Sequence, residues 1–96
     1  MDNQVYLSSL YDYYGTLLTN TQQAYFEDYY FNNLSLQEIS ENNNVSRNAV
    51  HKCLKEIVNR LNYYEEVLKL YEKGKEINKL IENIDDNIKE RIKELI

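Results

Sequence analysis

The chain has 96 residues, 43% of them hydrophobic and 28% charged, with two glycines, no proline and a net charge of −5. A length near the bottom of the domain range buries a modest core, which keeps self-association open. The shortage of glycine and proline excludes a loop-rich scaffold and favours an all-α fold.

In chain order, Tyr6, Leu7, Leu10, Tyr11, Tyr14, Leu17 and Leu18 recur at three- and four-residue steps, the mark of one helical face. Thr19-Asn20-Thr21 interrupts it, and Thr21 is placed to cap a second helix that turns Tyr25, Phe26, Tyr29 and Tyr30 into an aromatic face. Phe31 to Leu34 reads as the following turn. Ser35 with Glu38 three residues on is a capping box that opens a short third helix carrying Leu36 and Ile39 inward. Asn42-Asn43-Asn44 ends it, because asparagine competes for backbone hydrogen bonds and tolerates the left-handed conformation; Asn44 takes the place of a turn glycine. Ser46 caps a fourth helix, with Val45 and Val50 spaced as a hydrophobic staple.

The fourth helix is expected to run through Val50, Leu54, Ile57, Leu61, Tyr64, Leu68 and Tyr71, with Gly74 ending or bending it. Ile77, Leu80, Ile81 and Ile84 form a further apolar stripe. Asp85 or Asp86 caps a last helix with Ile88, Ile92 and Leu95 inward. The expectation is therefore six helices in a single helical domain over residues 1–96. A helix-turn-helix occupies about 36–61 and a helical extension about 62–96.

A helix-turn-helix places the start of its second helix against a groove and needs small residues where the helices approach; Ser40 and Ala49 fit that need. With Val50, Leu54 and Ile57 turned to the core, Arg47, Asn48, His51, Lys52 and Lys55 face outward. Arg and Asn can read purine edges, lysines neutralise phosphates, and the helix start attracts an anion. Charge is distributed to match. Residues 1–34 hold four acidic side chains and no Lys or Arg, and residues 62–96 hold nine acidic against seven basic. Residues 35–61 hold Arg47, Lys52, Lys55 and Arg60 against Glu38, Glu41 and Glu56. Such a surface is weakly basic, so duplex affinity should be modest and salt-sensitive.

Catalysis finds little support. His51, the only histidine, has no paired nucleophile, Cys53 lies in no motif that activates a thiol, and no phosphate loop, carboxylate pair or zinc spacing is present. The reading is a binding protein, not an enzyme, without cofactor or metal. Met1-Asp2-Asn3-Gln4-Val5 lacks the features of a signal peptide, and no apolar run suffices to enter a membrane, so a cytoplasmic location is expected. Of the ten tyrosines, Tyr6, Tyr14, Tyr25, Tyr29, Tyr64 and Tyr71 sit at core spacing, while Tyr13, Tyr30 and Tyr63 point elsewhere.

These elements resemble the YlxM-like proteins, bacterial helix-turn-helix proteins similar in that part to region four of sigma-70-type factors. The resemblance rests on Tyr13-Tyr14 with Leu17-Leu18-Thr19, on Gln22 to Tyr30, and on Ser35-Leu36 with Glu38-Ile39. It continues in Val45-Ser46-Arg47 with Ala49-Val50 and in Leu61, Tyr64-Glu65 and Leu68. It departs at Asn48 and His51-Lys52. The resemblance implies a winged-helix-free fold and a regulatory part in the signal recognition particle pathway, with the particle's RNA or its GTPase as partner. A DNA-binding transcriptional regulator on duplex DNA is the alternative. The long fourth helix also offers Ile57, Leu61, Tyr64 and Leu68 as a homodimer seam.

Overall fold

Caps and aromatic packing set the path of the chain in the computed structural model, which describes residues 3–96. Met1 and Asp2, read above for a signal peptide, lie outside the described residues. Helix α1 is Gln4–Tyr14, started by Asn3, whose side chain accepts the Val5 and Tyr6 N–H groups. A single 3-10 turn, Gly15–Leu17, follows and throws Leu17 outward, against the expectation that it faces the core. Helix α2 is Asn20–Phe26. Its cap is Thr19, not Thr21. Thr19 Oγ1 accepts the Gln22 N–H at 3.1 Å and Gln22 Oε1 accepts the Thr19 N–H at 3.0 Å, a reciprocal box that Thr21, inside the first turn, cannot make.

The α2 helix widens into a π-helical turn at Glu27–Phe31, closed by the Asn32 N–H on the Glu27 carbonyl. The inward face is centred on Phe26, and the wide turn keeps Tyr30 over it, ring centroids 4.5 Å apart. Tyr30 is therefore buried rather than turned away, and Tyr29 is only half-buried.

Helix α3 is Leu36–Asn43 and α4 is Arg47–Leu68. Twenty-two residues make α4 about 33 Å long, and it forms the spine of a molecule 52 Å in its longest direction. Its apolar side, Val50, Leu54, Ile57 and Leu61, is fully buried with Leu7, Leu10 and Tyr14 of α1, Phe26 of α2 and Ile39 of α3. Burying each such side chain contributes about 1.5 to 3 kcal/mol, so this four-helix contact is the main store of stability.

The fourth helix does not reach Tyr71. It ends at Leu68, where Lys69 takes a left-handed conformation at φ 57°, and α5, Leu70–Leu80, sets off in a new direction. Glu65 explains the break. Its carboxylate accepts the Tyr71 N–H at 3.1 Å, the Glu72 N–H at 3.1 Å and the Tyr14 hydroxyl at 2.6 Å, while that hydroxyl accepts the Leu70 N–H at 3.0 Å. Three unpaired donors at the start of α5 thus find acceptors that a straight helix would not need. Tyr6 against Tyr71, edge to face at 5.3 Å, fixes the new direction.

Gly74 neither ends nor bends a helix. It lies buried inside α5, where a Cβ would come within 2.5 Å of the Tyr13 hydroxyl oxygen, so its missing side chain allows α5 to approach α1. Ile81 is buried and Ile77 half-buried, but Leu80 is exposed. Helix α6, Asp86–Glu94, is capped by Asp85, one of the two expected candidates, and Asp86 is its first residue. No residue of α6 is fully buried: Ile88 and Leu95 are exposed, against the expectation that they point inward, and only Ile92 is half-buried. Among the described residues the chain is all-α, with six α-helices and no strand.

Candidate nucleic-acid interface

The α3-turn-α4 unit is built by local chemistry at each joint. Ser35 accepts the Glu38 N–H and Glu38 accepts the Ser35 N–H, both at 3.0 Å, which starts α3. Asn44 ends it at φ 55° and ψ 42°. The Val45 N–H reaches the Ser40 carbonyl at 3.1 Å and the Asn44 N–H the Glu41 carbonyl at 3.4 Å, a Schellman closure in which asparagine replaces glycine. Ser46 then caps α4 by accepting the Ala49 N–H at 3.0 Å.

Close approach of the two helices involves only one of the two expected small residues. Ser40 is buried and turns its hydroxyl back to donate to the Gln37 carbonyl at 2.7 Å; Ala49 is exposed on α4. The apolar pair ahead of the helix is likewise one-sided, since Val50 is fully buried and Val45 stays 40% exposed.

Arg47, Asn48, His51, Lys52 and Lys55 are all exposed, within the first three turns of α4. At 3.6 residues per turn they share an arc of about 140°, which begins at Arg47 beside the core stripe and turns away from it. Among the described residues the single ion pair is Lys69 with Glu72, at 3.9 Å, so none of these cations is neutralised by a carboxylate within that reach. The first turn of α4 holds no acidic residue, and its unneutralised N-terminal dipole adds to the positive field. The acidic groups of α3 are engaged elsewhere: Glu38 closes its capping box, and Glu41 accepts the Gln37 amide at 2.9 Å. This surface can hold phosphate oxygens and present Arg47 and Asn48 to base edges.

The same outward edge runs on beyond the residues chosen from sequence. Asn59, Arg60 and Tyr63 of α4 join Glu56 and Gln22 around an open groove of about 410 Å³. The signal lay in the spacing, since Asn59 is seven residues past Lys52 and four past Lys55.

The proposed dimer seam fares differently. Ile57 and Leu61 have no exposed surface, and Tyr64 is half-buried with its ring 5.9 Å from that of Tyr14. Only Leu68 is exposed. The stripe looked longer than one core requires because α1 and α2 both fold over it, which spacing along one helix does not reveal.

Cys53 is half-buried; burial first, and the Glu56 carboxylate second, push its thiol pKa up and hold it protonated. Among the described residues no three His, Cys, Asp or Glu side chains gather to hold a metal, and no helix is long and apolar enough to cross a membrane.

Comparison with known proteins gives the same shape a family. The model of the UPF0122 family, described as "Putative helix-turn-helix protein, YlxM / p13 like", matches residues 1–96. A UPF0122 protein of Caldanaerobacter subterraneus is 46% identical over 87 residues, covering 91% of this chain and 74% of that protein. One from Fusobacterium nucleatum is 40% identical over 97 residues, covering 100% and 94%. A third, from Malacoplasma penetrans, is 45% identical over 91 residues, covering 92% and 83%.

Proposed function

The chain belongs to the UPF0122 family of YlxM/p13-like helix-turn-helix proteins, and on that premise we propose that it is a regulatory adaptor of the signal recognition particle, holding the particle's RNA on the outward face of α4. The observation that supports this is the set of exposed, unneutralised cations Arg47, Lys52 and Lys55 around a helix start free of acidic residues. The resemblance to YlxM-like proteins implies the particle, and the cationic face favours its RNA over its GTPase. Arg47, Lys52 and Lys55 take phosphates in this reading, and Asn48 and His51 lie between them to meet bases or ribose hydroxyls. It is a binding protein acting in the cytoplasm, with no chemistry of its own.

Replacing Arg47, Lys52 and Lys55 together by alanine tests the assignment, with binding to the particle RNA followed across salt concentrations. Loss of three phosphate contacts should weaken binding and lower the slope of log affinity against log salt by about 2 to 3. The particle's GTPase and a duplex DNA of matched length serve as separate ligands. Binding to the GTPase alone would move the partner from RNA to protein. Tight, sequence-dependent binding to duplex DNA would favour the transcriptional reading, which the groove-directed start of α4 also suits. No association with RNA or GTPase at low salt, and no change in GTP hydrolysis, would end the proposal.

A further inference from the structure

Nine of the ten tyrosines are buried or half-buried, and Tyr63 is the exception, 54% exposed on α4. No aromatic ring among the described residues stacks on it; Tyr64, 6.0 Å away, is tilted by 59°. Lys52, Asn59 and Tyr63 follow at steps of seven and four, one line along the outward side of α4, with Tyr63 about 17 Å beyond Lys52. Tyr63 walls the open groove of about 410 Å³ that Gln22 of α2 and Glu56, Asn59 and Arg60 of α4 complete. Glu56 and Arg60 cancel in charge, and the two amides supply donors and acceptors. Gln22 is held in place, because its Oε1 accepts the Thr19 N–H at 3.0 Å. The groove therefore differs from the cationic start of α4. It is neutral, with an aromatic wall and hydrogen-bonding groups around it.

We propose that this groove takes an unpaired nucleobase of the RNA, stacked on the Tyr63 ring. The proposal rests on the reading of α4 as an RNA-binding face and names the feature of the RNA that the face selects. A net-neutral site gives a phosphate little attraction, and the Glu56 carboxylate repels one. A base is uncharged, offers a π face, and carries donors and acceptors along its edge, so it matches the ring, the amides and the carboxylate together. Glu56 accepts from an amino group of the base, Asn59 and Gln22 meet the rest of its edge, and Arg60 offsets the Glu56 charge toward the flanking phosphates. Lys52 and Lys55, roughly two to three turns earlier on the helix, hold the backbone alongside. Bases within a duplex have their faces covered by neighbours and their pairing edges occupied. Only a bulge, a loop or a single-stranded end can fill the groove.

The chain contains no tryptophan, so Tyr63→Trp installs a single indole fluorophore at the groove. Two RNAs are compared at low salt, a two-strand duplex carrying a bulge of several bases and the same duplex fully paired. The bulged RNA should bind and quench the tryptophan, and the paired one should bind without quenching. Tyr63→Leu should lose about tenfold in affinity for the bulged RNA and leave the paired one unchanged, which abolishes the preference, whereas Tyr63→Phe should retain it. Bulged RNA bound with the tryptophan unquenched, or a preference that survives Tyr63→Leu, overturns the inference. If the alanine variant of Arg47, Lys52 and Lys55 still weakens both RNAs, the reading of α4 survives that failure. Binding of neither RNA overturns both. Loss of the particle's GTPase in Tyr63→Leu, with RNA binding untouched, makes the groove a protein contact and overturns the inference as well.

Discussion

Two left-handed residues, Asn44 and Lys69, bracket α4, and they are held by different means. Asn44, between α3 and α4, closes a turn whose bonds all lie within six residues. Lys69, between α4 and α5, adopts nearly the same φ, 57° against 55°, yet its elbow depends on Tyr14 from α1, 55 positions earlier in the chain. Asparagine tolerates this region and lysine does not. The first turn is therefore local and self-sufficient, and the second exists because tertiary contacts outweigh a backbone preference.

The largest effect should come from the residue that holds the second turn. Glu65→Ala removes the acceptor for three donors, the Tyr71 and Glu72 N–H groups and the Tyr14 hydroxyl. Urea unfolding should show a loss of about 2 to 3 kcal/mol. A loss below about 0.5 kcal/mol would mean that Lys69 bends the chain without help.

Tyr14→Phe comes next, at about 1 to 2 kcal/mol, since one hydroxyl both donates to Glu65 and accepts from Leu70. It also carries a pH signature. Burial, then the Glu65 hydrogen bond, push the Tyr14 pKa up from 10.0 to about 12. An acid whose folded pKa is raised contributes stability that is full below the unfolded value and is lost as pH rises through the folded one. Stability should thus fall between about pH 10 and 12, and the fall should be shallower in Tyr14→Phe. Equal slopes in both proteins would remove Tyr14 from the account.

Gly74→Ala should be destabilising despite a gain of about 1 kcal/mol in helix propensity, because the new methyl meets the Tyr13 hydroxyl. In Tyr13→Phe that oxygen is gone, and the same change should become neutral or stabilising. Additive effects in the double variant would refute the contact.

Smallest, and most directly comparative, are the two glycine substitutions at the breaks. Lys69→Gly relieves a left-handed lysine and should stabilise by about 1 kcal/mol. Asn44→Gly should change stability by only a few tenths, because asparagine already tolerates the site. The exposed Lys69–Glu72 pair, lost in the first variant, offsets little. Equal gains at both positions would erase the distinction drawn between them.

The sequence by itself determined what short-range chemistry governs. Ser35, Asn44, Ser46 and Asp85 sit where caps and stops were read from residue type, because each makes bonds to backbone a few residues away. The outward placement of Arg47, Asn48, His51, Lys52 and Lys55 followed for the same reason, since the helical repeat alone turns them from Val50, Leu54 and Ile57. Continuation of that edge to Asn59, Arg60 and Tyr63 was legible in the same repeat but carried no charge run to draw the eye. Tertiary structure alone decided the elbow at Lys69, the role of Gly74, the burial of Ile57 and Leu61 under α1 and α2, and the exposure of α6. A helical period says that a stripe needs cover. It cannot say which element supplies it, and that depends on which surfaces meet once the chain is folded.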